Sequence, residues 1–517
     1  MSRPKRIMLF AWGSRGDIQP IAVLAQRLKA EGREVLVFAT PPSCAPLFDW
    51  GIDVVQAQEN IADFVEAMFG QLDLSDRSIR GLFKQLKLAK AYLDSPEIKA
   101  IQKADMETAL ATARGFAPDA IIVPNLISGH YTCIAEALNV PLITLDLQIN
   151  HPTREYPIIT LEVGRFPKWL NRSLYRIRTR VYGKLVNEKY ATMRAICDLP
   201  ADSYADGSRL KTWPHDLPQF CAVSAGLCPQ PHDWPAHKVV GGWLMPPAES
   251  DYRPSSALRD FLKQRPVCIG FGSMTGNPAF RQTLSTLAIK ALKTAGLPGI
   301  LLGGWAGLSR ESLDLSTHEG RELYDWSQAH IYELDACPHE WLFPQCSAVV
   351  HHGGAGTLAA AVRSGRPSIV CAMVYDQPFH GSLVRARGIG TYMGLVGGKG
   401  LTAQSLADAM LTVTTNDEIC VSAKELGEQV RREDSLQAAV AFIDRFSSEF
   451  PYPWPIERSR GLEPPSDKPE HVSLADFGLV RSRKPVDLRG RSSHPASIAD
   501  HEPQNQQQNA SPVRRNR

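Results

Sequence analysis

Within seven residues, His351 to Thr357, the chain sets two histidines, three glycines and a threonine in the order HHGGAGT. The residues before this run form a short apolar strand pattern, and Ala355 to about Arg363 form an alanine-rich helical one. Gly365 fits the helix stop, with Pro367 just beyond it. A strand-to-helix junction exposes unpaired backbone N–H groups and the positive end of a helix dipole, which suits an anion, most often a phosphate. Gly353, Gly354 and Gly356 let backbone approach such a group closely, and Thr357 adds a hydroxyl. His351 fits the loop as a ligand residue better than as filler at a sheet edge, because filler does not explain the glycines and threonine beside it. His352 fits packing alone. Further on, "YDQPF" sets Asp376 and Gln377 after another strand end, where open α/β sheets bind ligands. A carboxylate and an amide accept and donate hydrogen bonds to several hydroxyls at once; the plainer reading is an N-cap aspartate beside an exposed glutamine. A phosphate loop followed by a hydroxyl reader suggests a nucleotide sugar.

Other nucleotide chemistries lack their signatures. A dinucleotide fold wants GxGxxG after its first strand and an acidic residue ending the second. Here the first loop offers only Gly13 and Gly16, and the second strand pattern ends in Thr40 and Pro41. The P-loop pattern is absent.

The elements that must hold these residues alternate. "RIMLFAW" and "EVLVFAT" read as strands around a helix from Ile18 to Ala30, and "DAIIVPN" and "PLITLDL" as strands around a helix near Gly129 to Leu138. Residues 60–114 read as polar amphipathic helices. After a proline- and glycine-dense stretch, Phe220 to Pro254, the alternation restarts with "PVCIGFGSM", a helix near Ala279 to Ala295, "GILLGG", "AHIYELD", "SAVVHHGG" and "SIVCAM". This βαβ alternation predicts an α/β fold with two doubly wound parallel sheets. The expected organisation is a first domain over 1–225, a linker over 226–262, a second domain over 263–449 and a disordered polar tail over 450–517. Each half opens with a strand running into a glycine–serine loop, "AWGSRGD" and "GFGSM". Ser273 in the second loop fits a phosphate contact or a plain turn serine.

Bulk properties narrow the partners. At 517 residues the chain is too long for one ordinary core, and 44% hydrophobic with 21% charged residues is the composition of a soluble globular protein. A formal net charge of +3 gives no reason to invoke nucleic acid. Ten cysteines are scattered without CxxC or zinc-ligand spacing, which predicts reduced thiols and a cytoplasmic protein, with Cys268 and Cys371 packing as small hydrophobes. The apolar run Ile7 to Trp12 is short for a signal peptide and reads as a strand, and no run approaches membrane-span length. In Trp169 to Lys189, Leu170, Leu174, Ile177, Val181 and Leu185 fall on one helical stripe, with Arg172, Arg176, Arg178, Arg180 and Lys184 on the rest. The stripe predicts docking on the first domain, with a solvated basic face open to a peripheral contact with anionic membrane.

The runs "GSRGDIQPIAVLAQRL", "IGFGSM", "GILLGGWAGL", "CPHEWLFPQCSAVVHHGGAGT" and "YDQPFHG" resemble the motifs of family 1 UDP-sugar glycosyltransferases. The likeness is to sterol glucosyltransferases, with a related loop in glycopeptide-antibiotic glycosyltransferases, and it covers roughly Lys5 to Phe446. It implies a GT-B fold, two facing Rossmann-like domains with the acceptor on the first and the donor on the second. By the same resemblance His351 donates to a diphosphate oxygen, Asp376 and Gln377 read donor-sugar hydroxyls, and the backbone of Ala336-Cys337-Pro338 meets the uracil. Asp17 matches the family's general base, a role compatible with capping a helix, and Ser14 and Arg15 line the same cleft. The chemistry implied is inverting transfer of a hexose, glucose by default, from a UDP-sugar co-substrate to a lipophilic hydroxyl-bearing acceptor. No DxD motif occurs and the helix terminus supplies a positive field, so no bound cofactor and no metal is expected. "QINHPTREYP" stands where sterol enzymes carry Pro-Trp-Thr, and His380 where relatives carry an aromatic residue, so terpenoids and polyketides stand beside sterols as acceptors. The competing functions are a non-catalytic nucleotide-sugar-binding regulator, which would lack Asp17 or His351, and a GT-B epimerase, which would lack the GSRGD and PHxWLF segments.

Overall fold

A computed structural model of the chain describes residues 3–13, 15–41, 44–60, 94–124, 131–200, 217–246, 252–272, 277–304, 306–398 and 400–449, with isolated positions between 61 and 93. Ser14, Ser273 and the whole of 450–517 lie outside the described residues, as do the side chains of Arg15, Arg180, Val181, Lys184 and Leu185.

Two parallel sheets carry the fold. The first has the order β3-β2-β1-β4-β5-β6-β7, built from β1 (Arg6–Ala11), β2 (Glu34–Ala39), β3 (Asp53–Gln56), β4 (Ala120–Val123), β5 (Leu142–Asp146), β6 (Gln219–Cys221) and β7 (Lys238–Val240). The second has the order β10-β9-β8-β11-β12-β13, from β8 (Val267–Gly270), β9 (Gly299–Leu302), β10 (Ile331–Leu334), β11 (Ala348–His351), β12 (Ser368–Ala372) and β13 (Gly390–Leu395). Strands β4, β5, β8, β9, β11 and β12 are buried along their whole length, which is why they read as unbroken apolar runs rather than alternating ones.

The helices include α1 (Arg15–Ala30), α2 (Lys168–Ile196), α3 (Ala355–Ser364), α4 (Gln377–Ala386) and α5 (Ser435–Glu449), of which α1, α3 and α4 start at the site. In both sheets the winding reverses beside the first strand, between β1 and β4 and between β8 and β11. Such switch points open a crevice at the strands' carboxyl ends. The AWGSRGD loop leaves β1 at one of them, and the GFGSM and HHGGAGT loops leave β8 and β11 at the other.

Three expectations are corrected. β7 pairs with β6, so the first sheet runs past residue 225 into the stretch read as a linker. α5 does not complete the second half. Its Ala439, Val440, Phe442, Ile443 and Phe446 pack into the apolar cluster of Ile7, Leu9, Val35 and Val37, and Arg33 grips Asp444 at 2.7 and 3.1 Å. On α2 the predicted stripe is not the most deeply buried part where its side chains are described: Leu170 and Leu174 are half-buried and Ile177 is exposed. Trp169 and Ile177 are 71% and 55% exposed, whereas Asn171 and Tyr175 are buried. Their polar ends donate to Arg154 and Pro157 carbonyls at 2.9 and 3.0 Å, so burial here is accompanied by satisfied hydrogen bonds.

Cys268 and Cys371 are fully buried in strands, and burial pushes the Cys371 thiol up to about 12, as small packing groups require.

Candidate functional site

The core of the site is the β11–α3 turn. β11 delivers His351 fully buried, paired in register with Gly270 of β8. The His351 Nδ1 accepts the Gly353 N–H at 3.1 Å, which fixes the ring proton on Nε2. That Nε2–H is buried and has no hydrogen-bond partner among the described residues. Burial, then the neighbouring His352, His339 and His380, depresses its pKa to about 3, so the ring is a neutral donor at physiological pH. An orphaned buried donor costs about 1–3 kcal/mol, and a ligand that supplies an acceptor removes that cost.

The turn itself is shaped for a ligand. Gly353 has φ +91°, and a Cβ there would lie 2.8 Å from Val370 Cγ1, so only glycine fits. Gly354 is the N-cap of α3 and has no side chain to cap it. The first intrahelical bond is Leu358 N–H to the Gly354 carbonyl at 2.9 Å, which leaves the N–H groups of Ala355, Gly356 and Thr357 without helical acceptors. These residues are half-buried, so the groups are reachable. His352 packs between Gly272 and Gly354, and its buried Nδ1 also has no partner among the described residues.

The two switch points meet. A Cβ on Gly356 would lie 3.9 Å from Gly16 Cα, so the α1 and α3 termini approach backbone to backbone. Asp17 stands there, half-buried. It is not an N-cap: α1 begins at Arg15 and Asp17 occupies its first turn, with Pro20 inside the helix. The carboxylate folds back over Gly13, whose φ of +122° and missing side chain make room for it. Arg15 belongs to the same turn.

Asp376 and Gln377 come to the same end of the second sheet, at the start of α4. Tyr375 before them holds φ +58°, unusual for an aromatic residue and of the kind that clusters at functional sites. Asp376 occupies the N-cap position but makes no side-chain cap; its Oδ2 accepts from Gln148 Nε2 at 2.7 Å. Gln377 is buried rather than exposed, and its Oε1 accepts the Met373 and Val374 N–H groups at 2.7 and 3.0 Å, so its oxygen is committed to the backbone turn. Ala336 is exposed and Cys337 half-buried in the loop after β10, at the sheet edge on the same side.

Two residues of the site escaped sequence reasoning as site residues. His380, noted only as a departure from an aromatic pattern, hydrogen-bonds the Gly353 carbonyl through Nδ1 at 2.7 Å and so braces the turn from α4. Its offset of four from Asp376, one helical turn, was the available signal. Gln148 carried none, because nothing local ties residues after β5 to α4.

Residues 328–440 match the EryCIII-like C-terminal domain, described as erythromycin biosynthesis protein CIII-like. A sterol 3-beta-glucosyltransferase of Arabidopsis thaliana is 28% identical over 456 residues, covering 86% of this chain and 66% of the plant protein. A sterol 3-beta-glucosyltransferase of Candida albicans is 26% identical over 453 residues, covering 84% of this chain and 27% of the fungal protein. The chain thus spans under two thirds of either relative's length. The solved structure of the glycosyltransferase VinC in complex with DTDP superposes with a TM-score of 0.56 at 18% identity, over 86% of this chain and 99% of that one. The chain has a GT-B-like fold, is similar in sequence to sterol 3-beta-glucosyltransferases, and over residues 328–440 matches the EryCIII-like C-terminal domain.

Proposed function

We propose that the protein transfers a hexose, glucose by default, from a UDP-sugar to a hydroxyl of a lipophilic acceptor, with inversion and without a metal. The observation that carries this reading is the buried Nε2–H of His351, without a partner among the described residues, beside three uncapped backbone N–H groups at the α3 terminus. A diphosphate satisfies them together. The sterol relatives are named for glucosyl transfer, and VinC was solved with a nucleoside diphosphate.

Asp17 accepts the acceptor hydroxyl's proton as the oxygen attacks the anomeric carbon. The bond from that carbon to the diphosphate oxygen breaks, and UDP leaves on the opposite face. Its growing charge is met by His351 Nε2–H and the α3 N–H groups, which are already fixed in place. Asp376 and Gln377 orient the sugar, and Ala336 and Cys337 border the base.

A screen of UDP-sugars against sterols, terpenoid alcohols and polyketides in EDTA tests the reading. Product with the opposite anomeric configuration to the donor is expected. UDP-sugar turnover to an epimer, or none with any acceptor, counts against it.

Membrane contact is part of the proposal. No helix among the described residues is long and apolar enough to cross a membrane. α2 nevertheless exposes Trp169 and Ile177 among Lys168, Arg172 and Arg176, with Arg165 just before it. An aromatic and an aliphatic side chain among basic residues suit an anionic interface, each basic group adding about 1 kcal/mol. Salt-sensitive cosedimentation with anionic vesicles is expected, with none on neutral ones. Binding unchanged by Arg172→Glu with Arg176→Glu would place the contact elsewhere.

A further inference from the structure

The bond between Gln148 and Asp376 joins the two halves of the molecule. Gln148 lies just beyond β5 of the first sheet, Asp376 just before α4 of the second. Both are buried, at 7% and 8% exposure. The segment that follows β5 is fastened along α4. Val163 N–H donates to Ser382 Oγ at 2.8 Å, Glu162 pairs with Arg385 at 3.4 Å, and the Tyr156 ring meets Phe379 edge-on at 6.0 Å. Those contacts run along the helix flank. Gln148 instead reaches the carboxylate at its mouth.

An amide N–H bonded to a buried carboxylate is a charge-assisted bond that fixes both side chains. It engages Asp376 Oδ2 and leaves Oδ1 without a hydrogen-bond partner among the described residues, and Gln148 Oε1 likewise. Two acceptors are therefore held at a fixed spacing, one supplied by each half. Adjacent hydroxyls of a pyranose donate to such a pair, whereas a sugar lacking one of them leaves a buried acceptor unpaired.

We propose that Gln148 is a positioning and specificity residue for the donor sugar: it locks the Asp376 carboxylate across the domain boundary and adds its own Oε1, selecting hexoses with neighbouring free hydroxyls over deoxy sugars. The inference rests on Asp376 reading the sugar. It goes further in making recognition of the sugar, unlike that of the diphosphate, depend on both halves.

Calorimetry with UDP and with UDP-glucose, in EDTA, on the full chain separates these claims. UDP reports the diphosphate site and the integrity of the fold. Gln148→Leu is expected to weaken UDP-glucose about tenfold while leaving UDP unchanged. Asp376→Ala should do at least as much, and the double variant little more, because the two act as one unit. If Asp376→Ala weakens UDP-glucose and Gln148→Leu does not, Gln148 has no such role and the reading of Asp376 stands. If Asp376→Ala has no effect, the reading of Asp376 falls and takes this inference with it. Should Gln148→Leu lose UDP as well, the near-isosteric Gln148→Glu decides. Placing two carboxylates together, it is expected to lose UDP-glucose at pH 8 and regain it near pH 5.5, where the pair shares a proton, with UDP showing no parallel recovery. UDP-glucose affinity that stays at the wild-type level in Gln148→Glu at pH 8 overturns the proposal.

Discussion

Asp17→Asn is expected to lower turnover by about 10² to 10⁴ while leaving UDP affinity nearly unchanged, the loss typical of a general base. The carboxylate lies in the first turn of α1, folded over Gly13, where the two switch points meet. Asparagine keeps the size and the hydrogen-bonding shape but cannot take the acceptor's proton. The diphosphate contacts belong to the other half, at α3, so nucleotide binding has no reason to change. The competing role is electrostatic. An acidic residue in a first helical turn stabilises the helix by about 0.3–1 kcal/mol through the dipole. A variant with near-normal turnover and a lower melting temperature would assign Asp17 to that role alone.

His351→Ala is expected to cost about 1.5–3 kcal/mol of UDP affinity, roughly a 10- to 150-fold rise in Kd, the scale of one hydrogen bond to a charged group. The ring acts as a neutral donor through Nε2–H, since Nδ1 is occupied by Gly353 N–H. Acid sensitivity follows from the same burial. The pKa values of His351 and His352 are depressed from 6.5 to about 3 and about 4, chiefly by desolvation. Above 6.5 both rings are neutral folded and unfolded, and stability does not depend on them. Below 6.5 the unfolded chain binds protons that the folded one refuses, so stability falls as pH drops from about 6.5 toward 3. Thermal melting across that window should show a shallower acid decline in His351→Ala. An identical decline would mean the ring is not held neutral by the fold.

What was legible in the sequence is the part governed by local physics. The strands β1, β2, β4, β5, β8, β9, β11 and β12 announce themselves as apolar runs because both sheet faces are covered, and α3 by its glycine turn and its stop at Gly365, which indeed takes φ +69°. Strands β3, β6, β7 and β13 were not seen: β6 and β7 are three residues long, β3 buries only Val54 and Val55, and β13 is half-buried along most of its length. Long-range docking was equally hidden. Nothing in the amphipathic pattern of α5 says which core its phenylalanines enter, and the bonds of Asn171 and Tyr175 on α2 to the Arg154 and Pro157 carbonyls leave no mark on its apolar spacing. The site divides along the same line. His351 and the glycines lie in one contiguous turn and could be read, and Asp376 with Gln377 follow a strand end. The Gln148 bond, the committed Gln377 oxygen and the absence of a cap from Asp376 are tertiary facts.

The central claim is a metal-free diphosphate site at the β11–α3 turn. Titrating the intact chain with UDP in EDTA, the reference arm for the His351→Ala measurement, tests it most directly. Saturable one-to-one binding that weakens in His351→Ala is the result this account predicts. No UDP binding by the intact protein, or binding that appears only when a divalent cation is restored and is indifferent to His351, would contradict it.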